Sequence, residues 1–389
     1  MRILMISDVF FPRINGVSTS IESFRHALAE QDVDVHVVAP AYPAPHADDA
    51  CITRVPARRV PFDPEDRLMH GKALRHALSG HAHFDLVHIQ TPFAAHYAGL
   101  GHARKQRLPC IATYHTHFEE YLHNYVPALP KAALRSFART LARRQCNTLD
   151  AVVVPSSAMQ DTLAAYGVTA PLHRVPTGIP VEHFAAECRP ASVDFRQRFD
   201  IAEDARVALF VGRAAHEKNI DFLLDALPYA LERTPNLMLV VAGEGPALPA
   251  LKRQAATLGI ASSVRFVGYL DRLRELPACY AAADLFVFAS RTETQGLVLL
   301  EAMAAGLPVL AFAALGTREI VEPRRGALPA PQEASAFGTS MAELINAPQR
   351  RAAMAQEAQE FAREWTTEAC ATRMTEVYRA VRDQHRRAG

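Results

Sequence analysis

No stretch of this chain approaches the roughly 20 apolar residues that a membrane-spanning helix needs, although hydrophobic residues make up 49% of it. A transmembrane anchor is therefore not expected. Charge of one sign is also missing. The formal net charge is +1, so no global field recruits nucleic acid or membrane, and any basic surface must be local. Cysteine is sparse and unpatterned: Cys51, Cys110, Cys146, Cys188, Cys279 and Cys370 show no CxxC or metal-ligand spacing. Scattered thiols of this kind read as buried and reduced, in a cytoplasmic protein. The opening run Met1-Arg2-Ile3-Leu4-Met5-Ile6-Ser7 is cut off by Asp8, too soon for a signal-peptide core, and is expected to be a first buried strand. Low-complexity tracts are absent as well. A chain of 389 residues is long for a single core and predicts two domains.

What is present is an alternation of strands and helices, twice over. In the first half, strands are predicted at 3–7, 33–39, 86–90, 111–115, 151–155 and 175–179, with helices at 17–29, 94–106 and 131–146 between them. Continuous apolar strands separated by helices argue for a parallel sheet covered on both faces. The proline and glycine punctuation of Pro176-Thr177-Gly178-Ile179-Pro180 marks a linker. A second series follows at 207–212, 239–243, 264–268, 285–289 and 309–312, and the end from Ser335 to Arg386 reads as helical, with Trp365 and Tyr378 as packing anchors. The fold class is α/β, with two Rossmann-like domains facing each other across a cleft. The expected boundaries are 1–184, 185–370 and a final helix 371–389 returning to the first domain.

The run Ser290-Arg291-Thr292-Glu293-Thr294-Gln295-Gly296-Leu297-Val298-Leu299-Leu300-Glu301 holds the densest chemistry. An apolar strand leads into it, Leu297 to Ala305 reads as a helix, and Gly306-Leu307-Pro308 ends that helix. Glu293 thus falls in a strand-to-helix loop and Glu301 about one turn inside the helix. Open α/β sheets bind phosphorylated ligands at such a place, where the amides of Thr294 to Leu297 would face a diphosphate and the carboxylates would grip hydroxyls beside it. Upstream, the strand ending at Gly212 is followed by Arg213 and Lys218. Two positioned cations suit a leaving diphosphate, Arg as a fork and Lys as a point charge.

Other segments say less alone. Gly16 stands where the first loop becomes a helix, so its backbone can approach a ligand. His115 closes a strand; with His117 it suggests a metal pair, but no third ligand of suitable spacing appears. Gly243-Glu244-Gly245 lacks the full dinucleotide fingerprint and reads as a pocket wall or a structural turn. Asp32-Val33-Asp34 mimics a metal-binding DxD at the start of a strand. Between Tyr121 and Leu149 there is no Asp or Glu, while Lys131, Arg135, Arg139, Arg143 and Arg144 recur at mostly four-residue spacing. A helical wheel puts Leu134, Phe137, Ala138 and Leu141 on one side and most cations on another. This pattern fits a basic amphipathic helix on an anionic membrane, or simply a solvated basic face.

The Glu293–Glu301 run, with Arg213 and Lys218, resembles the signature of family 4 retaining glycosyltransferases of the two-domain GT-B architecture. The likeness spans essentially the whole chain and is strongest between Val207 and Pro308. It implies a donor site with Arg213 and Lys218 on the diphosphate and Glu301 on the ribose. Glu293, with Thr294, Gln295, Gly296 and Leu297, would meet the sugar. Gly16 would reach the donor phosphate, His115 would stand beside the sugar's C6 hydroxyl and reacting face, and the segment ending at Tyr269 would read the base. It also implies a nucleotide-sugar co-substrate, UDP-sugar favoured over GDP-sugar, and neither metal nor resident cofactor. The Thr292-Glu293-Thr294-Gln295-Gly296 version is similar to that of diacylglycerol glucosyltransferases. This makes a lipid acceptor, a peripheral place on the inner membrane face, and a Lys131, Arg135, Arg139 and Arg143 docking surface the expectation, with no nucleic-acid partner. Two features depart from the family pattern: Ala313-Ala314-Leu315-Gly316-Thr317 replaces a glycine pair, and Thr177 stands where Asn is common.

Three alternatives remain at this stage. A soluble sugar or sugar-phosphate acceptor competes with the lipid. A nucleotide-sugar epimerase of the same fold would need no acceptor. A silent scaffold would hydrolyse no donor.

Overall fold

The computed structural model describes residues 1–43, 48–60, 63–80, 83–115, 130–185 and 189–388. The chain forms two compact units, one made of Met1–Gly178 with Thr367–Gly389, the other of Ile179–Thr366. The exchanges thus fall a few residues before the 184/185 and 370/371 positions read from sequence. Ile179 N–H donates to the Trp365 carbonyl (2.9 Å), so the outgoing and returning strands of chain meet where the units divide.

The strands of the first unit are β1 (Arg2–Ile6), β2 (Asp34–Pro40), β3 (Ile52–Val55), β4 (Ala57–Val60), β5 (Asp63–Met69), β6 (Leu86–Ile89), β7 (Cys110–Thr113), β8 (Ala151–Val154) and β9 (Leu172–Arg174). Seven of them form one sheet in the order β3-β2-β1-β6-β7-β8-β9, and β4 and β5 pair as a hairpin. Every neighbouring pair in the large sheet is parallel. The strand predicted at 175–179 is not there. Pro176 and Pro180 lack the N–H that a ladder needs, so pairing stops at Arg174, and Ile179 makes only an isolated bridge to Thr366.

The second unit contains β10 (Arg206–Val211), β11 (Leu237–Ala242), β12 (Val264–Gly268), β13 (Leu285–Phe288), β14 (Val309–Ala311) and β15 (Ala327–Pro329). They form a parallel sheet in the order β12-β11-β10-β13-β14-β15. Both sheets therefore reverse direction of growth next to their first strand, at β1/β6 and at β10/β13. Loops leaving those strands diverge to opposite faces and open the crevice in which α/β proteins place ligands.

Apolar strands explain the packing. β8, β11 and β13 are buried along their whole length, as expected where helices cover both faces. The last helix, Thr367–Ala388, belongs to the first unit because Cys370, Met374, Tyr378 and Val381 form a buried stripe at helical spacing. It lies among Ile21, Phe24 and Leu28 of the helix Gly16–Ala29 in the same core. Burying each such side chain stabilises by roughly 1.5–3 kcal/mol. No helix among the described residues is long and apolar enough to cross a membrane.

Candidate functional site

The second unit concentrates the predicted residues at its switch point. β10 ends at Val211, and the loop carrying Arg213 tightens into a short 3-10 turn at His216–Lys218. Asn219 then takes a left-handed conformation (φ 56°), which turns the chain into the helix Ile220–Leu231. From β13 the chain runs through Ser290 and Glu293 to Gly296, also left-handed (φ 95°), and into the helix Leu297–Ala304. The two loops are tied side by side. Asn219 Nδ2 donates to the Ala289 carbonyl (3.1 Å), and Ser290 Oγ donates to the Glu217 carbonyl (3.2 Å). Lys218 Nζ donates to Glu293 Oε1. These side chains are 18% and 16% exposed, so the pair is largely shielded from solvent.

Glu301 lies deeper, 1% exposed. Both of its oxygens are held: Arg272 Nη2 donates to Oε1, and the Tyr280 hydroxyl donates to Oε2 (2.9 Å). A buried carboxylate survives ionised only with such partners. The Arg272 backbone is itself fixed by His183, whose Nε2 donates to the Arg272 carbonyl (3.1 Å). Burial pushes the Tyr280 phenol far above its ordinary pKa, and the neighbouring Glu301 charge adds to that, which favours the protonated phenol that donates to Glu301. Tyr269, three residues before Arg272, is 47% exposed. Sequence reading missed Arg272, Tyr280 and Asn219. A lone Arg in a loop and a Tyr in an apolar helix carry no spacing signal; only the packing brings them to Glu301 and to the Glu293 loop.

The segment after β14, which departs from the family pattern, forms the floor beneath Glu293. Gly316 N–H donates to the Glu293 carbonyl (2.9 Å), and a Cβ there would come within 2.1 Å of the Thr294 carbonyl oxygen. Glycine is needed for that approach. Thr317 Oγ1 closes the turn, donating to the Phe312 carbonyl (2.7 Å) and accepting from Ala314 N–H (3.0 Å). Gln295 is buried and Thr294 partly so. Gly243 has a close-approach role as well: a Cβ would lie 2.0 Å from the Gly212 carbonyl oxygen, which gives the Gly243-Glu244-Gly245 turn a structural duty.

The first unit holds the remaining residues. Gly16 opens its helix, capped by Asn15, whose Oδ1 accepts from Ser18 N–H (2.9 Å). A Cβ at Gly16 would meet nothing within 4 Å, so no protein neighbour demands glycine there. Asp8, just past β1, is buried; it accepts from Thr91 Oγ1 (2.7 Å) and from Ala95 N–H (3.1 Å). It thereby caps the helix Ala94–Gln106, whose own preceding residue, Phe93, offers no side-chain cap. Burial raises its carboxyl to about 6. His115, two residues past β7, is partly buried, its Nε2 2.8 Å from Gln90 Oε1. Burial lowers it to about 4. His117 lies outside the described residues, as does the rest of 116–129.

The basic helix runs Lys131–Cys146. Arg135, Arg139 and Arg143 are exposed on it, and the side chain of Lys131 is outside the described set. The buried stripe is Leu134, Ala138, Ala142 and Cys146. Phe137, placed by the helical wheel on the apolar side, is instead 59% exposed. The reason is the stripe's four-residue spacing, which leaves position 137 about a third of a turn off the core. Arg139 lays its guanidinium 5.5 Å from the centre of the Tyr166 ring.

Comparison with known proteins agrees with this architecture. Residues 14–183 match the family model described as Glycosyltransferase Family 4, and residues 193–361 match that described as Glycosyl transferases group 1. The alpha-monoglucosyldiacylglycerol synthase of Streptococcus pneumoniae is 34% identical over 317 residues, covering 80% of this chain and 71% of that protein. A GDP-mannose-dependent alpha-mannosyltransferase of Mycobacterium tuberculosis is 29% identical over 363 residues, covering 90% of each. The crystal structure of Anabaena Alr3699/HepE in complex with UDP and glucose superposes with a TM-score of 0.78 at 20% identity, covering 98% of this chain and 100% of that one. The chain thus belongs to glycosyltransferase family 4 and has the GT-B fold.

Proposed function

We propose that this glycosyltransferase moves a hexose from a nucleotide-diphosphate sugar, a UDP-sugar before a GDP-sugar, to a hydroxyl of a membrane lipid such as diacylglycerol, with retention at the anomeric carbon. The observation that carries the reading is the Lys218–Glu293 pair at the β10/β13 switch point. It sets a cation for the diphosphate beside a carboxylate for sugar hydroxyls. Arg213 joins Lys218 on the phosphates. Glu301 and Arg272 serve the nucleoside, Tyr269 flanks the base, and the amides of Gly296 and Leu297 at the helix start favour negative charge. Gly16 and His115 are the donor-binding residues proposed for the first unit, each described within that unit alone.

In the reaction, the bond from C1 to the phosphate oxygen breaks while the acceptor oxygen bonds to C1 on the same face. The acceptor's proton passes to the departing phosphate oxygen. Arg213 and Lys218 absorb the charge that grows on the leaving group, which costs least in a shielded site.

The lipid acceptor rests on the synthase relative, which by its name makes alpha-monoglucosyldiacylglycerol, and on a surface suited to a headgroup layer. Arg135, Arg139 and Arg143 are exposed beside Phe137. Gln145 of the same helix donates to the Tyr97 hydroxyl (3.2 Å), and Tyr97 and Phe93 are 62% and 54% exposed. Exposed aromatics among arginines suit a peripheral place on an anionic membrane. The mannosyltransferase relative favours a second reading, with GDP-mannose as donor.

One assay separates these readings: nucleoside diphosphate release from UDP-, GDP- and ADP-sugars, with and without anionic vesicles containing diacylglycerol. Release from a UDP-sugar stimulated by the vesicles is expected, and the anomeric proton coupling of the product gives the stereochemistry. Release indifferent to lipid moves the acceptor to the soluble pool, and release without any acceptor product removes the transferase assignment of the site. Neutralising Arg135, Arg139 and Arg143 should abolish co-sedimentation with the vesicles.

A further inference from the structure

We propose that Gln90 is a positioning residue for His115, holding the imidazole in its Nε2-protonated tautomer and in a single orientation. The inference rests on the reading of His115 as a group that meets the donor, and it adds the residue through which that group is set.

Gln90 follows β6 directly and is 4% exposed. Its backbone N–H donates to the Ile6 carbonyl of β1 (2.9 Å), so its stem is locked at the β1/β6 switch point. The side-chain oxygen Oε1 lies 2.8 Å from His115 Nε2. An amide oxygen only accepts, so Nε2 must carry the proton, and the lone pair of the neutral ring is then on Nδ1. A buried glutamine needs such a partner, and an imidazole needs one to fix its tautomer.

The surroundings keep the ring neutral. His88, on β6 one residue before Ile89, is fully buried and sits between two hydroxyls: Nδ1 is 2.8 Å from the Tyr378 hydroxyl and Nε2 is 2.7 Å from Thr113 Oγ1. Burial, and secondarily His115, lowers His88 to about 3. The carboxyl just past β1, Asp8, is engaged by Thr91 and Ala95. His88 of β6, Asp8 past β1 and Tyr378 of the last helix are thus held by hydrogen-bond partners of their own. With its proton fixed on Nε2, His115 meets the donor as a neutral polar group rather than as a charged acid.

The test uses the whole protein labelled with 15N-histidine, with the His115 signals assigned from His115→Gln. Long-range proton–nitrogen spectra report tautomer and titration without any substrate. Wild type should show protonated Nε2 and no titration down to pH 5. Gln90→Glu keeps an acceptor and adds a charge, so the His115 midpoint should rise by at least one pH unit, and the acid limb of UDP release from UDP-glucose should rise with it. Gln90→Leu should give mixed tautomers and a tenfold or larger fall in kcat, with KM for UDP-glucose changed less than threefold. Gln90→Asn, shorter by one methylene, keeps the amide should the leucine variant fail to fold. Identical His115 spectra in wild type and Gln90→Glu would overturn the proposal. Altered spectra with unchanged kcat in every variant would instead show that His115 takes no part in transfer.

Discussion

Lys218 and Glu293, 75 residues apart in the chain, form an ion pair that joins the loops leaving adjacent strands β10 and β13. Each is the other's counter-ion in a shielded place, so the two are expected to divide the work when a donor arrives. Glu293→Gln should lower kcat by roughly a hundredfold, the range found for losing one transition-state hydrogen-bonding group, with the Kd for UDP changed less than threefold. Lys218→Ala should weaken UDP about tenfold or more, as loss of a charge-assisted contact costs about 1.5–3 kcal/mol. Calorimetric titration with UDP beside turnover on UDP-glucose reads both; collapse of UDP binding in the glutamine variant, with transfer surviving, would reverse the assigned roles.

Arg272 and Glu301 form a buried pair, with the glutamate 1% exposed. Arg272→Leu leaves a carboxylate without its cation and should cost about 3–5 kcal/mol of stability in urea unfolding. Tyr280→Phe removes a hydrogen bond to the same charge and should cost roughly 1.5–3 kcal/mol. Combining Arg272→Leu with Glu301→Met should recover most of the first loss, because no uncompensated charge remains. A double variant as unstable as the single one would mean that Arg272 stabilises by packing alone.

Asp8 should give a pH dependence opposite to that of an ordinary salt-bridged carboxylate. Its folded pKa is raised from 3.8 to about 6 by burial. Below pH 4 it is protonated in both states and costs nothing. As pH rises towards 6 the unfolded chain releases the proton first, so the folded form loses stability by up to about 3 kcal/mol, and the loss is complete above pH 6. Urea unfolding at half-unit steps from pH 4.5 to 7.5 should show the wild type losing more stability over that window than Asp8→Asn. Parallel curves would remove Asp8 as the source.

Gly316 supports the Glu293 loop from beneath, and a methyl group there would sit 2.1 Å from the Thr294 carbonyl oxygen. Gly316→Ala must therefore push the Glu293–Gln295 segment away. A drop of about 1–3 kcal/mol in stability is expected, as for other overpacked positions, with kcat falling at least tenfold. Retained kcat would show that the position of this loop is not critical to transfer.

Much of this was legible in the sequence for one reason: strands buried on both faces and the helices between them carry their pattern locally. The strands at 3–7, 86–90, 207–212 and 285–289, and the loops bearing Arg213, Lys218 and Glu293, needed only periodicity, glycines and helix punctuation to be placed. The short edge strand Ile52–Val55 and the Ala57–Val60/Asp63–Met69 hairpin escaped notice. Edge and hairpin strands are half-exposed, and arginines and acids interrupt their alternation.

What only the tertiary structure decided are relationships between side chains far apart in the chain. Arg272 and Tyr280 converge on Glu301, Gln90 meets His115, and Asp8 caps a helix that starts 86 residues later, through Thr91 and Ala95. Phe137 faces outward although its neighbours suggested otherwise. Local propensity acts over a few residues and selects strand, helix or turn. Hydrogen bonds and ion pairs between buried groups depend on which strands become neighbours, and that order is set by the packing of whole sheets.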